Sequence, residues 1–142
     1  MISILDCTLR DGGYYNNWDF DRTIVDRYLI SVKSSSVDVV ELGFRSLPKN
    51  TFMGPYIYTT DDFINQLKLP EGPLYGVMIN GKEFIESSDG QKSATKKLFQ
   101  KKENSPVSLV RIAINFNHVL KSESIAKQLK DMGYMIGLNM MQ

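Results

Sequence analysis

The chain has 142 residues, a formal net charge of +1 at pH 7 and a hydrophobic fraction of 42%. This length and apolar content suffice for one domain with a buried core. Acidic and basic residues are interspersed, which argues against binding to nucleic acid or to an anionic membrane surface. No apolar run approaches the ~20 residues that span a bilayer. The single cysteine, Cys7, cannot form an internal disulfide, so we expect a cytoplasmic protein.

The N-terminal stretch combines an apolar strand with a charged turn. Residues 1–5 are apolar enough for a strand buried on both faces, and residues 12–18 are predicted to form a turn rich in Gly, Tyr and Asn. Asp6, Arg10 and Asp11 lie where the strand would leave the sheet. Unpaired charges are costly to desolvate there, so these three either neutralise one another as a structural ion cluster or hold a ligand.

A helix, a strand and a long loop follow. Apolar residues at helical spacing predict a helix over residues 20–32, with Asp19 or Asp21 as its N-cap. Residues 37–42 form a predicted strand, and Gly43 is expected to turn the chain. The loop over residues 44–59 is long enough to be functional or mobile. Thr60 then caps a short predicted helix over residues 61–67.

The second half of the chain repeats this alternation. We predict strands over residues 74–79, 107–114 and 135–141. Two helical pieces, broken at residues 88–90, lie between the first two of these strands. A helix beginning at Asn117 or Ser122 and ending before Gly133 lies between the last two.

Strands and helices recurring about every 35 residues predict a parallel sheet covered by helices. Right-handed crossovers leave either an open doubly wound sheet or a section of a (β/α)8 barrel. No strand is followed by a G-x-G-x-x-G phosphate loop, whereas polar residues gather at the carboxyl ends of several strands, where barrel active sites lie. Those residues are Asp6, Arg10, Asp11, Glu41, Arg111, Asn115, Asn139 and Gln142. We therefore predict an α/β partial (β/α)8 TIM barrel of about five parallel βα repeats. Since a barrel needs ~250 residues, we expect residues 1–142 to be the N-terminal portion of a single catalytic domain, truncated after the fifth strand.

The segment DCTLRDG over residues 6–12 resembles the opening motif of the DRE-TIM metallolyases, the HMG-CoA lyase-like family. The longer stretch LDCTLRDGGYYNNWDF, with VELGF at the second strand and GLNMMQ at the fifth, is most similar to the 4-hydroxy-2-oxovalerate aldolase-like branch. The resemblance implies a lyase that cleaves a 4-hydroxy-2-oxo acid to pyruvate and an aldehyde, through an enolate held on a divalent cation. The alternatives are a Claisen-type acyltransferase, similar to isopropylmalate and homocitrate synthases, and a non-catalytic partial barrel that oligomerises.

The resemblance also implies roles for individual residues. Asp11 would be a ligand to Mn²⁺ or Mg²⁺, and the Arg10 guanidinium would stabilise the negative charge of the enolate. Asp6 would orient the arginine or a metal-bound water. Glu41 would be a further polar group of the barrel mouth. Arg111 would either bind a substrate carboxylate or pair with Glu41 or Asp6.

Two positions depart from the family pattern. The family typically carries a histidine three residues after the metal-binding aspartate, where this chain has Tyr14. A phenol is a poor base near pH 7, so we expect Tyr14 to donate a hydrogen bond to the substrate and leave the base unassigned. The family also has a late His-x-His pair, whereas the single histidine of this sequence, His118, is expected at the surface. We therefore expect weak or absent metal binding by these residues alone.

The remaining expectations concern partners and the aromatic residues of the loops. We expect a 2-oxo acid substrate, a homo-oligomer and, in the intact enzyme, a possible dehydrogenase partner. The loop aromatics either line a ligand pocket or pack the loops onto the barrel rim; they are Tyr14, Tyr15, Trp18, Tyr56 and Tyr58.

Overall fold

The computed structural model describes residues 2–142, which form five strands and six α-helices. In chain order these are β1 (Leu5–Asp6), α1 (Thr8–Asn16), α2 (Arg22–Lys33), β2 (Val39–Phe44), α3 (Asp61–Ile64), β3 (Leu74–Asn80), α4 (Gly81–Ile85), α5 (Gln91–Leu98), β4 (Leu109–Asn115), α6 (Glu123–Asp131) and β5 (Met135–Met141), with 3₁₀ turns at Pro55–Ile57, Lys102–Asn104 and Phe116–Ser122. The strands pair in parallel in the order β1-β2-β3-β4-β5 and curl into a half-barrel. The predicted class, a partial α/β barrel, is confirmed.

The main core lies between the sheet and the helices that cover its convex face. Apolar side chains of β2, β3 and β4 are buried together with apolar side chains of α2, α5 and α6. The fully buried members include Val40, Leu42, Val77, Ile79, Val110, Ile112, Ile114, Val25, Leu29, Ala94, Ile125 and Leu129. Burial of this continuous layer, at roughly 25 cal/mol per Å² of apolar surface, holds the helices on one side of the sheet. The concave side is left for the polar residues described below.

Local signals in the sequence account for the ends of three helices. The Asp21 carboxylate accepts hydrogen bonds from the backbone N–H groups of Thr23 and Ile24 and caps α2. Thr60 caps α3 through the N–H of Phe63. Gly133 follows α6 with φ +98°, the left-handed conformation that ends many helices. These three predictions are confirmed.

The N-terminal predictions need correction. Of the strand predicted over residues 1–5, Met1 lies outside the described residues, and strand pairing is confined to Leu5–Asp6. Ile2 and Ile4 are exposed rather than buried on both faces, because β1 pairs with β2 alone among the described residues. The turn predicted over residues 12–18 is mostly helix, since α1 runs to Asn16 and its first turn closes by a hydrogen bond from Asp11 N to Cys7 O.

Strand β2 also differs from its prediction. It begins at Val39 rather than at residue 37 and ends two residues later than expected, and Gly43, predicted to turn the chain, lies inside it. Strand β4 begins at Leu109 rather than at residue 107. Strand β5 covers the predicted residues 135–141. Among residues 2–142, none of the helices combines the length and the apolar character needed to cross a membrane.

Candidate active site

A bulge in β2 brings two side chains of that strand to the concave face of the sheet. Glu41 pairs with Gly76 on β3 and Phe44 pairs with Met78, so three steps along β2 match two steps along β3. The extra residue reverses the alternation of side chains, and both Glu41 and Phe44 therefore face inward. Gly43 lies in this bulge, where a Cβ atom would come within 2.1 Å of the Tyr56 carbonyl oxygen. Only glycine permits that approach.

A chain of charged hydrogen bonds crosses the concave face from α1 to β5. The Arg10 Nε donates to Glu41 Oε1 at 2.9 Å, and the Arg111 Nη1 lies 3.2 Å from each Glu41 oxygen. The Arg111 Nη2 donates to Asn139 Oδ1 at 3.0 Å. Gly137 on β5 pairs with Arg111 on β4. A Cβ atom at Gly137 would lie 3.0 Å from Arg111 Cγ, so the glycine leaves room for the arginine side chain. Residues predicted at separate strand ends are thus joined in one cluster.

Glu41 is the buried carboxylate of that cluster. Its side chain is 1% exposed, between guanidinium groups that are 14% and 19% exposed. Burial raises the pKa of the Glu41 carboxyl above its ordinary value, and the hydrogen bond from Arg10 and the charge of Arg111 oppose that rise. Desolvation lowers the pKa of Arg10, but the hydrogen bond and charge of Glu41 outweigh it, so the net shift is upward. Arg10 is therefore a fixed positive charge held in place by a buried partner.

Asp11 lies beside Arg10 with half of its side chain exposed. Its Oδ1 accepts a hydrogen bond from Arg10 Nη1, and its Oδ2 accepts one from the Cys7 thiol at 3.1 Å. Burial, followed by the hydrogen bond to Asp11, raises the pKa of the Cys7 thiol. This disfavours the reactive thiolate, in keeping with Cys7 as a packing residue.

The described residues do not by themselves fit a divalent cation. Asp11 offers one carboxylate whose two oxygens already accept hydrogen bonds. Across residues 2–142, no three His, Cys, Asp or Glu side chains come together in a group that could hold a metal ion. A hard divalent cation needs several oxygen ligands, so Asp11 could supply only part of such a site.

Asp6 lies apart from the Arg10–Glu41 cluster. Its Oδ1 accepts hydrogen bonds from the Tyr28 hydroxyl at 2.5 Å and from Thr8 N at 2.9 Å, and its Oδ2 accepts one from Thr8 Oγ1 at 3.2 Å. Burial, followed by the hydrogen bond to Asp6, raises the pKa of Tyr28 well above its ordinary value. Asp6 thus ties the start of α1 to α2, and its predicted role in orienting the arginine stays a prediction.

Three aromatic rings meet next to Arg10. Tyr14, Trp18 and Phe44 pack edge to face, with ring centroids 4.7 Å apart for Tyr14 and Trp18 and 5.7 Å apart for Trp18 and Phe44. The Arg10 guanidinium carbon lies 5.9 Å from the centroid of the Phe44 ring. The Trp18 and Phe44 side chains are buried, whereas Tyr14 is 63% exposed. Tyr14 is therefore the ring of this group that a ligand can reach most directly.

Trp18 is held by its surroundings in an unusual backbone conformation. Its φ is +58°, and that of the preceding Asn17 is +56°. This left-handed region is rare for a bulky residue and costs about 1–3 kcal/mol. The indole Nε1 donates to the Arg10 carbonyl oxygen at 3.0 Å, so the same contact fastens Trp18 and the α1 backbone at Arg10.

The other predicted candidates are spread over the surface and the core. His118, expected at the surface, lies in the 3₁₀ turn after β4 and is half-buried. Tyr15 is 95% exposed and Tyr56 is buried. The reading of Trp18 and Tyr56 as residues that anchor loops by packing agrees with their burial.

Comparison with solved structures finds one protein that matches over the whole chain. The structure is similar to the crystal structure of the N-terminal domain of a putative aldolase from Bacteroides vulgatus, with a TM-score of 0.80 and 34% sequence identity. The match covers 99% of this chain. The chain spans 45% of that neighbour's length. No family model and no curated protein matches the sequence.

Sequence reasoning missed Phe44 as a residue of the site. The glycine within the apolar run of β2 was available as a signal, since an isolated glycine inside a strand often marks a bulge. The interpretation of Gly43 as a turn residue instead ended the predicted strand at residue 42, two residues early. Two further contacts, from Tyr28 to Asp6 and from Lys49 to Glu83, join residues whose spacing carries no signal.

Proposed function

We propose that the whole protein is a carbon–carbon lyase of the 4-hydroxy-2-oxo acid aldolase type. The similarity to the N-terminal domain of the Bacteroides vulgatus protein supports the aldolase part of this proposal. The observation that carries it in this chain is the Arg10 guanidinium, fixed by the buried Glu41 on the concave face of the half-barrel. Within residues 2–142, the Arg10 Nη2 makes no hydrogen bond, so a donor is left for a substrate oxygen.

The proposed reaction has the following steps. A base takes the proton of the C4 hydroxyl, the C3–C4 bond breaks and the aldehyde leaves. The electron pair of that bond forms the C2–C3 double bond of an enolate, with the negative charge on the C2 oxygen. Arg10 stabilises this oxyanion by charge and hydrogen bonding. Protonation of C3 then gives pyruvate. Tyr14 is assigned to donate a hydrogen bond to the oxygen that becomes the aldehyde.

The remaining residues hold these groups. Arg111 donates hydrogen bonds to Glu41, and Glu41 orients Arg10. A divalent cation, Mn²⁺ or Mg²⁺, would take Asp11 as one ligand in the whole protein and draw its other ligands from outside the described residues. In the steps above, Asp11 acts only by accepting a hydrogen bond from Arg10.

The test is exchange of the pyruvate methyl protons for deuterium in D₂O, followed by NMR with the whole protein, because exchange requires the enolate. We expect exchange, and we expect Arg10→Lys to slow it about 100-fold or more, since a lysine cannot keep the Glu41 contact and reach the enolate oxygen together. Arg27→Lys, at an exposed arginine of α2, is the matched control. Absence of exchange, or equal rates in the two variants, contradicts the proposal.

The same assay tests the cation. Mn²⁺ is expected to raise the exchange rate, and Asp11→Ala to abolish that response. A response that survives in Asp11→Ala rejects Asp11 as a ligand without affecting the role of Arg10. Exchange of acetyl-CoA methyl protons in place of those of pyruvate would instead favour the acyltransferase alternative.

A further inference from the structure

A cavity of about 230 Å³ opens beside Arg10 at the carboxyl ends of β2 and β3. Three of its walls are the aromatic rings of Tyr14, Trp18 and Phe44. The long loop after β2 supplies two more walls, Met53 and Ile57. The loop predicted to be functional or mobile therefore contributes apolar side chains to a pocket.

The cavity adjoins the proposed reaction centre through one shared ring. The Phe44 ring centroid lies 5.9 Å from the Arg10 guanidinium carbon and 5.7 Å from the Trp18 ring, and Phe44 itself lines the cavity. A substrate whose oxygen contacts the guanidinium group would therefore extend its next carbon atoms over Phe44 and into the cavity.

The charges of the cavity cancel. Lys49 forms an ion pair with Glu83, and the Glu83 carboxylate also accepts a hydrogen bond from Leu47 N at 3.3 Å. The other lining side chains are uncharged. The start of α4 lies at the cavity, but Asn80 caps it by accepting a hydrogen bond from Lys82 N. Among the described lining residues Lys49 is the one cation and it is paired, so the cavity disfavours a phosphate or carboxylate substituent.

We propose that this cavity binds the substituent of the aldehyde half of the substrate, and that this substituent is an uncharged ring or branched alkyl group. The inference rests on the proposed function and adds a substrate class to it. An apolar cavity of about 150 Å³ is enough for benzene, so the space suits a phenyl or isobutyl group and leaves a methyl group loosely held. Aromatic walls packed edge to face favour a flat ring.

The experiment compares 4-hydroxy-2-oxo acids that carry a phenyl, an isobutyl or a methyl group on C4, with the whole protein. We expect kcat/KM for the phenyl and isobutyl substrates to exceed that for the methyl substrate by about tenfold or more, as apolar pockets discriminate. Met53→Trp fills the cavity and should lower kcat/KM for the two large substrates by about tenfold or more, with less than about threefold effect on the methyl substrate. Met53→Leu, of similar volume, is the matched control.

Deuterium exchange into pyruvate tests the proposed function separately from the cavity, because exchange needs no aldehyde. Exchange in wild type, together with the expected substrate order and its loss in Met53→Trp but not in Met53→Leu, supports the inference. Normal exchange with no preference for large substituents, or with Met53→Trp lowering all three substrates alike, overturns the inference and leaves the proposed function standing. No exchange in wild type overturns the proposed function and the inference with it.

Discussion

Glu41 is the residue on which the charged cluster depends. It is a carboxylate with almost no contact with water, and it balances two arginines that are themselves mostly covered. Taking such a group out of water costs several kcal/mol, and only the paired arginines offset that cost. The same pairing keeps both guanidinium groups pointed along the concave face. The pairing with Glu41 therefore both offsets the cost of burial and orients the two arginine side chains.

Glu41→Gln tests this dependence. The amide keeps the shape but leaves Arg111 without its counter-charge and Arg10 with the half-exposed Asp11 alone, and removal of one partner from a buried pair costs about 3–5 kcal/mol. We expect the free energy of unfolding, measured by denaturant titration of the whole protein, to fall by about that amount, and pyruvate exchange to slow.

The control for this variant is Glu86→Gln. Glu86 is paired with Lys82 at 3.8 Å on an exposed face of the protein, with both side chains more than 60% exposed. An exposed pair of this kind contributes about 0–1 kcal/mol. If the two variants lose the same stability, Glu41 is not the counter-charge that holds the cluster.

Helix α1 packs against the Trp18 ring, which lies just after the helix in the chain. The segment contains adjacent glycines, which weaken a helix and ordinarily indicate a turn. In the fold, the Trp18 indole occupies the space where a side chain on Gly13 would be, with Trp18 Cδ1 2.0 Å from an ideal Cβ position. Gly12 has no such neighbour closer than the Phe20 ring at 3.4 Å. Packing against Trp18 therefore requires glycine at position 13 but not at position 12.

The alanine variants of these two glycines should change the free energy of unfolding differently. Gly13→Ala forces the indole away and should destabilise the protein by about 1–3 kcal/mol, as overpacking does. Gly12→Ala makes only ordinary contact and should leave stability unchanged or raise it by up to about 1 kcal/mol, since alanine favours a helix. Denaturant unfolding of the two variants is the measurement. Equal effects would show that Trp18 does not determine the conformation of this segment.

Across the whole molecule, most of the charged and polar side chains that are buried pair with other side chains or with backbone groups. On the convex side the guanidinium of Arg45, 1% exposed, pairs with Asp61 at 2.7 Å and donates to the Thr59 carbonyl oxygen. Ser105 also donates to Asp61, at 2.8 Å, and so links the α3 region to the segment before β4. Tyr56, 2% exposed, fills the space between Phe20 and Phe63.

The burial of Tyr56 predicts a loss of stability at alkaline pH. Burial raises its pKa from 10.0 to about 12. Between these values the unfolded chain has released the proton and the folded chain still holds it. Stability is therefore full below pH 10 and declines as the pH rises through about 12, by about 1.4 kcal/mol per pH unit from this group.

Tyr56→Phe should make the decline shallower by that amount, with stability at pH 7 nearly unchanged. Unfolding free energies at pH 7, 10 and 11 are the measurement. Tyr15→Phe, which removes a hydroxyl from a ring that is 95% exposed, is the control. A slope identical to wild type in Tyr56→Phe would show that Tyr56 does not keep its proton in the fold.

The sequence by itself determined the alternation of strands and helices, the caps at Thr60 and Gly133, and the extent of β5, and it narrowed the cap of α2 to Asp19 or Asp21. Each of these follows from neighbouring residues, because periodicity and capping act within one or two turns of chain. The sequence also predicted Arg10, Asp11, Glu41 and Arg111 at the carboxyl ends of strands, which share one edge of a parallel sheet. In the structure Arg10 and Asp11 lie in α1, and Glu41 and Arg111 are each the third residue of their strand.

Only the tertiary structure decided which of these side chains touch. Arg10 and Glu41 are 31 residues apart, and Glu41 and Arg111 are 70 apart, so their pairing depends on strand register rather than on local spacing. The bulge at Gly43 turns Phe44 inward, because a difference of one residue in register exchanges the two faces of a strand. The glycine-rich segment that predicted a turn is helical in the structure, where the Trp18 indole packs against Gly13.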